Sequence, residues 1–529
     1  MGTTELLRFM LRRDRVRLPA WVLGISVFVP YFFTAFRTIF PTREDLLTAA
    51  SFVQGPVVTV LGGPGYGLGE GITHHAFFAG VYLLYFLVAA GFMNILLVSR
   101  HTRVEEQTGR AELVRANVVG PLAPLTAAVL VALVADAALA GTLTLALLGY
   151  GTPVGEALLL GCAVGAFGLV LAGVTATTVQ LSGYSRVSSA LAGAVLGASF
   201  VVRAAGDSLG EHGSALSWLS PFAWSQQTRV FVDGRWWPLG LSVLAAAATT
   251  ALGYALARRR DLGAGLWAAR RGPAHAPAWL RTPAALAWRL HRSGLRGWTV
   301  GLVLAGLVYG GTTQALVDAF ADMNDLLAAV LGGEEDPVGG YLALMASLMI
   351  IATAIFVVLA VQRTRAEELE GRAAPVLATA TSKAGWLTGH TVVVALAALV
   401  LLAAGSLATG VGAAAVTRDV GHVATLLVGG LVGYPAVLVV LGLATLLYGA
   451  RPRALTLAWV IVVVGGVVEF FGPLLDPPAW LANLSPWEHT PGYPVEDVPF
   501  APLAVQAALA LAAGAAGLAL FQRRDLTAT

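Results

Sequence analysis

Two charged segments of this 529-residue chain repeat the same order of residue types. The first reads His-Thr-Arg-Val-Glu-Glu-Gln-Thr-Gly-Arg-Ala-Glu at 101–112, and the second reads Arg-Thr-Arg-Ala-Glu-Glu-Leu-Glu-Gly-Arg-Ala-Ala at 363–374. Carboxylates and guanidinium groups at such spacings form ion pairs, either within a helix or with the surface of another protein. A solvated loop needs charge but does not need the same order twice, so the repetition favours a docking surface. An inherited, neutral solvated bridge is the alternative.

Each charged segment is expected to be largely helical. The second glutamate and the arginine that follows the glycine are four residues apart, so their side chains can meet on one helical face. The expected pairs are Glu106 with Arg110 and Glu368 with Arg372. The glycine before each arginine, Gly109 or Gly371, would allow the helix to bend.

The sequence lacks the pattern for hydrolysing ATP by itself. A phosphate-binding loop of the Gly-x-x-x-x-Gly-Lys-Ser/Thr type needs a lysine on the phosphates. The only lysine in the chain is Lys383, and Ser382 rather than glycine precedes it. The glycine-rich stretch 62–69 contains no lysine, so a flexible connector is the favoured interpretation. We therefore expect no catalytic residues and no cofactor in this chain.

Few other side chains have the types and spacing of a reaction centre or a metal site. His74 and His75 are adjacent but have no cluster of Cys or His around them, and Cys162 is the only cysteine. Asp136 and Glu469 fall within apolar runs, where burial of a charge is costly and a functional role is the default expectation. A structural role, with the carboxyl group satisfied by its neighbours, is the alternative.

Membrane-spanning helices must position these residues. The mean hydropathy is +0.75, with 57% hydrophobic and 12% charged residues, which is outside the range of soluble domains. Apolar runs of about 20 residues, long enough to cross a bilayer as a helix, recur along the chain. The twelve expected spans are about 20–38, 75–99, 119–149, 155–181, 186–205, 237–257, 297–317, 340–362, 384–412, 421–449, 453–473 and 501–521.

Charge alternates between the loops that join the expected spans. The basic segments are 8–17, 100–115, 258–296, 451–453 and 522–524, and the acidic segments are 318–336 and 474–500. Arginine on every second loop is the positive-inside pattern, so we expect a multi-pass plasma-membrane protein with both termini in the cytoplasm. Because the basic segments are short and adjoin spans, no nucleic-acid partner is expected.

The repetition extends over the whole chain, at offsets of about 262–277 residues. Beside the charged segments, the repeated landmarks are Arg-x-x-Arg with Trp-x-x-Gly at 12–24 and 289–301, Leu-Ser-Pro with an aromatic residue at 219–222 and 484–487, and Arg-Arg-Asp-Leu at 259–262 and 523–526. The expected fold is all-α, with two parallel six-helix halves at 1–257 and 297–529 joined by a basic linker at 258–296.

The segment before the first span is expected to be a helix that lies on the membrane surface. Leu6, Leu7 and Met10 fall on one side of this helix, and Arg8 and Arg12 fall on the other. The arginine-rich segment 288–292 repeats the arrangement before the seventh span. A basic flank that only sets the topology is the alternative.

Together these features resemble a known family. Paired six-helix halves, charged helices after the second and eighth spans, and the lack of an ATPase domain are similar to the permease of a type-2 ATP-binding-cassette (ABC) exporter. The motifs at 12–21, 101–110 and 288–292 resemble those of fused, double-length actinobacterial permeases, which are described as exporters of polyketide antibiotics or multidrug efflux permeases. The resemblance spans nearly the whole chain and says little about the substrate.

The resemblance implies that the charged segments, at 100–117 and 363–381, are coupling helices that dock on a partner ATPase. The implied contacts are Arg103, Glu105, Glu106, Arg110, Arg365, Glu367, Glu368 and Arg372. Two copies of a soluble ABC ATPase, which would hold ATP and Mg²⁺, are implied, with membrane lipid and a lipophilic antibiotic, drug or lipid-like substrate as further partners. Short re-entrant helices are implied at 206–236 and 474–500.

Two other functions fit parts of the pattern. A proton-coupled secondary transporter of the major-facilitator type also has two sets of six spans and a bridge with Gly and Arg after the second span. Its bridges are tighter, however, and this chain has few intramembrane carboxylates for proton coupling. A membrane sensor or assembly scaffold that signals through the charged segments is the other alternative.

Overall fold

A computed structural model describes residues 2–53, 59, 62–69, 71–116, 119–210, 212–267, 272, 274–314, 337–475 and 477–526. The regular secondary structure in these ranges is helical, and eleven of the helices are long and apolar enough to cross a membrane. The chain divides into two compact units, Met1–Gly272 and Pro273–Thr529, which we call the first and second halves. The expected all-α, polytopic membrane architecture is confirmed.

The first half consists of a short N-terminal helix and a series of long helices. Its α-helices are α1 (Thr3–Arg13), α2 (Arg17–Ser26), α3 (Phe28–Ile39), α4 (Arg43–Val53), α5 (His74–Ser99), α6 (Glu105–Gln107), α7 (Arg110–Arg115), α8 (Ala123–Leu148), α9 (Val154–Leu181), α10 (Ser185–Asp207), α11 (Pro221–Gln226) and α12 (Pro238–Ala257). The central element is α9, which packs against α5, α8, α10 and α12. It therefore connects the second, third, fifth and sixth long helices of this half.

The second half repeats this series of long helices. Its α-helices are α13 (Pro283–Gly311), α14 (Pro337–Leu369), α15 (Ala373–Leu377), α16 (Lys383–Thr417), α17 (Gly421–Val432), α18 (Tyr434–Ala450), α19 (Ala458–Leu475), α20 (Ala479–Ala482) and α21 (Phe500–Arg523). Here α13 packs along α16, α18 packs along α21, and α14 contacts both α16 and α18. Each half thus has its own packed core.

Proline interrupts two of the expected spans. The span at 20–38 is divided into α2 and α3, and the span at 421–449 into α17 and α18. Pro30 and Pro435 stand in the first turn of α3 and α18 and have no N–H group to donate, so one helical hydrogen bond is missing at each junction. Both runs still count as single stretches long enough to cross a membrane.

One expected span differs from the observed helix. The span at 297–317 corresponds to α13, which begins earlier, at Pro283, and is not among the eleven sufficiently apolar helices. Its N-terminal part carries Arg289, Arg292 and Arg296, which lower its hydropathy. The acidic segment expected at 318–336 lies outside the described residues.

Short helices occupy the two segments in which re-entrant helices are implied. In the first half a 3-10 turn at Ser217–Leu219 precedes α11, and Ser220 caps α11 by accepting a hydrogen bond from the Phe222 N–H. In the second half α20 is followed by a 3-10 turn at Trp487–His489, where Ser485 Oγ accepts a hydrogen bond from the Trp487 N–H at 3.3 Å. The repeated Ser-Pro-aromatic landmark therefore forms the same local cap in both halves.

Helix α1 is amphipathic, as the sequence predicts. Met10 is 5% exposed, Leu6 and Leu7 are half-buried, and Arg8 and Arg12 are exposed. In the second half the corresponding arginine-rich segment is part of α13 and continues into the expected span without a break. The first half alone therefore has a separate surface helix ahead of its first span.

Candidate functional site

We call residues 100–117 the first bridge and 363–381 the second bridge. The first bridge starts with a π-helical segment, Arg100–Val104, that continues α5, followed by α6 and α7. Gly109 separates α6 from α7 with a φ of +73°, a conformation that side chains other than glycine rarely adopt. The predicted bend at this glycine is confirmed.

Glu106 is the most densely bonded carboxylate of the first bridge. Arg260 donates to both of its oxygens, at 2.6 Å to Oε1 and 2.8 Å to Oε2, and Arg103 donates to Oε2 at 2.8 Å. The Gly263 N–H adds a fourth contact at 3.2 Å. Because Arg260 belongs to the Arg-Arg-Asp-Leu landmark that follows α12, this cluster ties the first bridge to the end of the first half.

Arg103 is an internal residue in this structure. It is fully buried, and its Nε donates to the carbonyl oxygen of Val179 at the end of α9, at 2.9 Å. Its Nη1 reaches Glu106 and the carbonyl oxygen of Ala264. These bonds connect the bridge, the end of α9 and the segment that follows α12, so the guanidinium group faces its own chain.

The first glutamate of the first bridge has a different set of partners. Arg13, at the end of α1, donates to Glu105 Oε1 at 2.6 Å, and the Arg110 guanidinium is 3.8 Å from the same oxygen. The Arg110 side chain is 51% exposed, compared with 16% for Glu105. Of the three, Arg110 is the residue that presents most of its charge to the surroundings.

Asp14 fixes α1 against the first bridge through contacts with two residues of the bridge. Asp14, directly after α1, is 2.7 Å from His101 Nε2 and accepts a hydrogen bond from Arg100 Nε at 3.2 Å. Asp14 and His101 are each 1% exposed, so the pair is enclosed by protein. The surface helix and the π-helical start of the bridge therefore form one packed unit.

The second bridge continues directly from α14, which remains α-helical to Leu369. Gly371 ends the helix with a φ of +72° before α15 begins, so the second predicted bend is also confirmed. Glu368 accepts hydrogen bonds from Arg524 at 2.5 and 2.6 Å and from the Tyr448 hydroxyl at 2.5 Å. Its side chain is 1% exposed, so this carboxylate is buried more deeply than that of Glu106, which is 11% exposed.

Arg524 is the second-half counterpart of Arg260. Both are the second arginine of an Arg-Arg-Asp-Leu landmark, and we call them the closing arginines. The guanidinium of Arg524 also lies over the rings of Tyr448 and Phe521, at 5.2 and 4.7 Å. Burial alone would lower the pKa of Arg524, but the hydrogen bonds to Glu368 raise it above the ordinary value. The pair is therefore a charged one.

The remaining charges of the second bridge are closer to its surface. Arg372 donates to Glu367 at 2.8 and 2.9 Å and also pairs with Glu370. The hydrogen bonds to Glu367 raise the pKa of Arg372, whose side chain is 50% exposed. Arg365 is half-buried, and its Nε has no hydrogen-bond partner among the described residues.

The predicted pairing of Glu106 with Arg110 and of Glu368 with Arg372 is wrong. The glycine between the two residues leaves the right-handed helical region, so four positions no longer bring the side chains onto one face. The arginines instead approach the first glutamate of each bridge, and the second glutamate pairs with a closing arginine. The sequence signal for this pairing was the repetition of Arg-Arg-Asp-Leu at the end of each half.

The outer surfaces of the bridges are formed by the residues around and after each glycine. Among the described residues, those exposed in the first bridge are Gln107, Thr108, Arg110, Glu112, Leu113 and Ala116, and those exposed in the second are Glu370, Arg372, Ala374, Pro375, Ala378, Thr379 and Ala380. Leu113 is 73% exposed, which is unusual for a leucine beside charged residues. These surfaces are available for a partner, whereas Arg103, Glu106 and Glu368 are turned inward.

Asp136 joins three helices in the core of the first half. It is 2% exposed and accepts a hydrogen bond from Asn94 Nδ2 on α5 at 2.8 Å. A Cβ atom at Gly168 on α9 would lie 2.3 Å from Asp136 Oδ1, so only glycine leaves room for the pair. The same offset in the second half places Phe356 and Ala398, both buried, at these positions. The polar contact is therefore specific to the first half.

Glu469 on α19 lines a cavity of about 240 Å³ in the second half, together with Glu488 and Glu496. Ser347 on α14 forms a hydrogen bond with Glu469. Among the described residues no group of three or more His, Cys, Asp or Glu side chains could hold a metal ion. The cavity is thus acidic without having the arrangement of a metal centre.

Comparison with known proteins gives two matches. The family model described as "Multidrug efflux system permease Rv1217c, C-terminal domain" matches residues 4–258 and 280–522. The "Multidrug efflux system permease protein Rv1217c" of Mycobacterium tuberculosis is 36% identical over 531 residues, which span 99% of this chain and 95% of that protein.

Proposed function

Because the chain belongs to the family of multidrug efflux system permeases, we propose that it is the permease of an exporter driven by separate ABC ATPase subunits. The cargo is lipophilic: an antibiotic, a drug or a lipid-like compound. ATP and Mg²⁺ bind to the partner ATPase, and this chain has no catalytic site of its own. The permease resides in the plasma membrane with both termini and both bridges in the cytoplasm.

The observation that carries this proposal is the attachment of each bridge to the end of its own half. Glu106 pairs with Arg260 and Glu368 pairs with Arg524, across 154 and 156 residues of chain. A bidentate ion pair attaches each bridge to the segment directly after the last long helix of its half, where the closing arginine lies. Force applied by a partner to the bridge is therefore passed to the second and last long helices of that half together.

The residues implied as ATPase contacts divide into two roles under this proposal. Arg110 and Arg372, each about half exposed, contact the ATPase together with their exposed neighbours. The other six residues have an internal role, in which Glu105 and Glu367 orient these arginines and Arg365 is half-buried. Arg103, Glu106 and Glu368 act from within, because they hold the bridge against the rest of the half and touch the partner only if the bridge is released.

One chain supplies two bridges, so one permease binds two ATPase subunits. Closure of the two subunits on ATP would then displace both bridges, and with them the helices of both halves. Membrane lipid surrounds the spans, and α1 lies at its surface with Arg8 and Arg12 toward the anionic headgroups.

Native mass spectrometry of the complex, purified in mild detergent from the source organism, tests the assembly. The expected mass is one 54.7 kDa permease plus two copies of a soluble ATPase. A bare permease in repeated preparations, with proton-driven transport in proteoliposomes, would instead support a secondary transporter.

A charge-reversal experiment tests the two roles. Replacing Arg110 and Arg372 by Glu should leave the chain folded and inserted but abolish co-purification of the ATPase. The matched control replaces Arg259 and Arg523 by Glu; these are the exposed first arginines of the Arg-Arg-Asp-Leu landmarks. Equal loss of the ATPase in the control would show a general charge effect rather than a bridge contact.

A further inference from the structure

The largest cavity that we describe lies at the arginine-rich end of the first half. Its volume is about 580 Å³, within the range of pockets that hold drug-sized ligands. The wall is formed mainly by the start of α2, the end of α5 and the start of α10. Its apolar lining residues are Leu18, Trp21, Met93, Leu96, Leu97 and Val104.

Three arginines surround this apolar wall. Arg17 comes from α2, Arg100 from the end of α5 and Arg186 from α10. Arg17 and Arg100 are near enough to repel each other electrostatically. Arg17 and Arg186 are exposed, and within the described part of the chain neither has an ion-pair partner. Arg100 pairs with Asp14, whose carboxylate is shared with His101.

We propose that this cavity is the binding site through which the exporter selects lipophilic anions as cargo. An apolar body packs on the Trp21 wall while a carboxylate, sulfonate or phosphate group is held by the three guanidinium groups. The proposal rests on the proposed function, and it adds a substrate class and the residues that recognise it. The substrate class follows from the position of three positive charges beside an apolar wall. The charged group of an anionic amphiphile would neutralise the arginines, and its apolar part would cover the wall.

The second half provides an internal comparison. At the offsets of the neighbouring landmarks, Trp298 replaces Trp21 and Arg451 replaces Arg186, but Gly294 and Gln362 stand in place of Arg17 and Arg100. An aromatic residue is present at this position in both halves, whereas two of the three cations are present only in the first. The anion selectivity therefore belongs to the first half alone.

The test uses two probes that differ by one charged group, 8-anilinonaphthalene-1-sulfonate and the neutral N-phenyl-1-naphthylamine. Each probe is titrated against the ATPase activity of the complete permease–ATPase complex in phosphatidylcholine liposomes. In the Arg17→Gln, Arg186→Gln variant, the sulfonate concentration for half-maximal stimulation should rise about tenfold, as expected for the loss of two partly exposed ion pairs. The value for the neutral probe should not change.

Arg451→Gln is the matched control, because Arg451 has the second-half position of Arg186, and this variant should leave both values unchanged. Equal responses of the wild type and the double variant to the sulfonate would overturn the site while the exporter function stands. If neither probe stimulates the wild-type complex, equilibrium dialysis of the sulfonate against the permease alone decides the site, separately from the proposed function. In that measurement, unchanged binding of the sulfonate to the double variant overturns the proposed binding site.

A membrane phospholipid is the other anionic amphiphile that could occupy the cavity. If replacing part of the phosphatidylcholine by phosphatidylglycerol competes with the sulfonate in the wild type but not in the double variant, and the basal ATPase activity depends on that lipid, the cavity is a lipid site. That result would overturn the assignment to cargo.

Discussion

In the first half, Glu106 is held by Arg103 and Arg260, whereas in the second half Glu368 is held by Arg524 and the Tyr448 hydroxyl. Arg365, which has the sequence position of Arg103, does not join the second cluster through any described hydrogen bond. Both clusters nevertheless retain the pairing of the second glutamate with a closing arginine. The comparison separates the part of the cluster that both halves need from the parts that one half can replace.

The two clusters also differ in depth. The Glu368 side chain is 1% exposed and that of Arg524 is 14% exposed, compared with 11% and 10% for Glu106 and Arg260. A deeply buried ion pair depends strongly on both partners, since removal of one leaves an uncompensated charge. A pair with further donors and some access to water depends on each partner less.

The largest expected effect follows from this difference. Arg524→Ala should lower the free energy of unfolding by about 3–5 kcal/mol, because Glu368, whose side chain is 1% exposed, loses the guanidinium group that donates to both of its oxygens. Arg260→Ala should lower it less, since the Glu106 side chain is 11% exposed and still accepts a hydrogen bond from Arg103. Unfolding in mixed micelles measures both values. Equal losses in the two halves would contradict the argument from depth, and a smaller loss in Glu368→Ala, Arg524→Ala than in Arg524→Ala would support it.

An intermediate effect is expected at the polar contact that only the first half has. Gly168→Ala places a Cβ atom 2.3 Å from Asp136 and 2.6 Å from Asn94, so we expect a loss of about 1–3 kcal/mol of stability. The loss should be smaller in an Asn94→Ala, Asp136→Ala background, in which both clashing groups are gone.

Gly193→Ala on α10 is the control for this experiment, because its Cβ would meet nothing within 4 Å. Replacing a helix-interior glycine by alanine should raise the free energy of unfolding by up to about 1 kcal/mol where the new Cβ atom has free space. If Gly168→Ala and Gly193→Ala change the midpoint of thermal unfolding equally, the Asp136–Asn94 pair does not require the glycine.

The smallest effect on stability is expected on the surfaces of the bridges. Arg110→Ala and Arg372→Ala should each cost no more than about 1 kcal/mol, because exposed ion pairs contribute little. Arg372 contacts two carboxylates and Arg110 one, so the second-half variant should be the more affected. Melting temperatures of the isolated permease measure this order, and a loss larger than that of Arg260→Ala would show that these arginines are structural.

The sequence alone was sufficient for the elements with local signals. The apolar runs predicted the membrane helices, and Gly109 and Gly371 predicted the breaks in the bridges, because helix length and a positive φ are properties of a few neighbouring residues. The span at 297–317 was less well predicted, since α13 merges a charged surface segment with an apolar one and begins at Pro283.

The spacing of residues in the sequence did not predict most partners of the charged residues. Nothing local to Glu106 indicates that its main partner is Arg260, which lies 154 residues further along the chain. Likewise, the contact between Asp136 and Asn94 depends on how α5, α8 and α9 pack, and no periodicity in the sequence encodes that packing. The sequence evidence for the Glu106–Arg260 contact was that both motifs recur in the second half. This repetition did not specify which residues meet.

The closing arginines also determine an order of events during synthesis. Glu106 is translated 154 residues before Arg260. The charge of Glu106 is therefore paired with Arg260 only after nearly the whole first half has been synthesised. Every partner named for Glu106 precedes residue 265, however, and none is supplied by the second half. The first half can therefore complete its charged cluster while the second is still being translated, and Arg524, which follows Glu368 by 156 residues, joins the second cluster later. Translation that terminates before Arg524 would release a chain whose second bridge lacks its closing arginine.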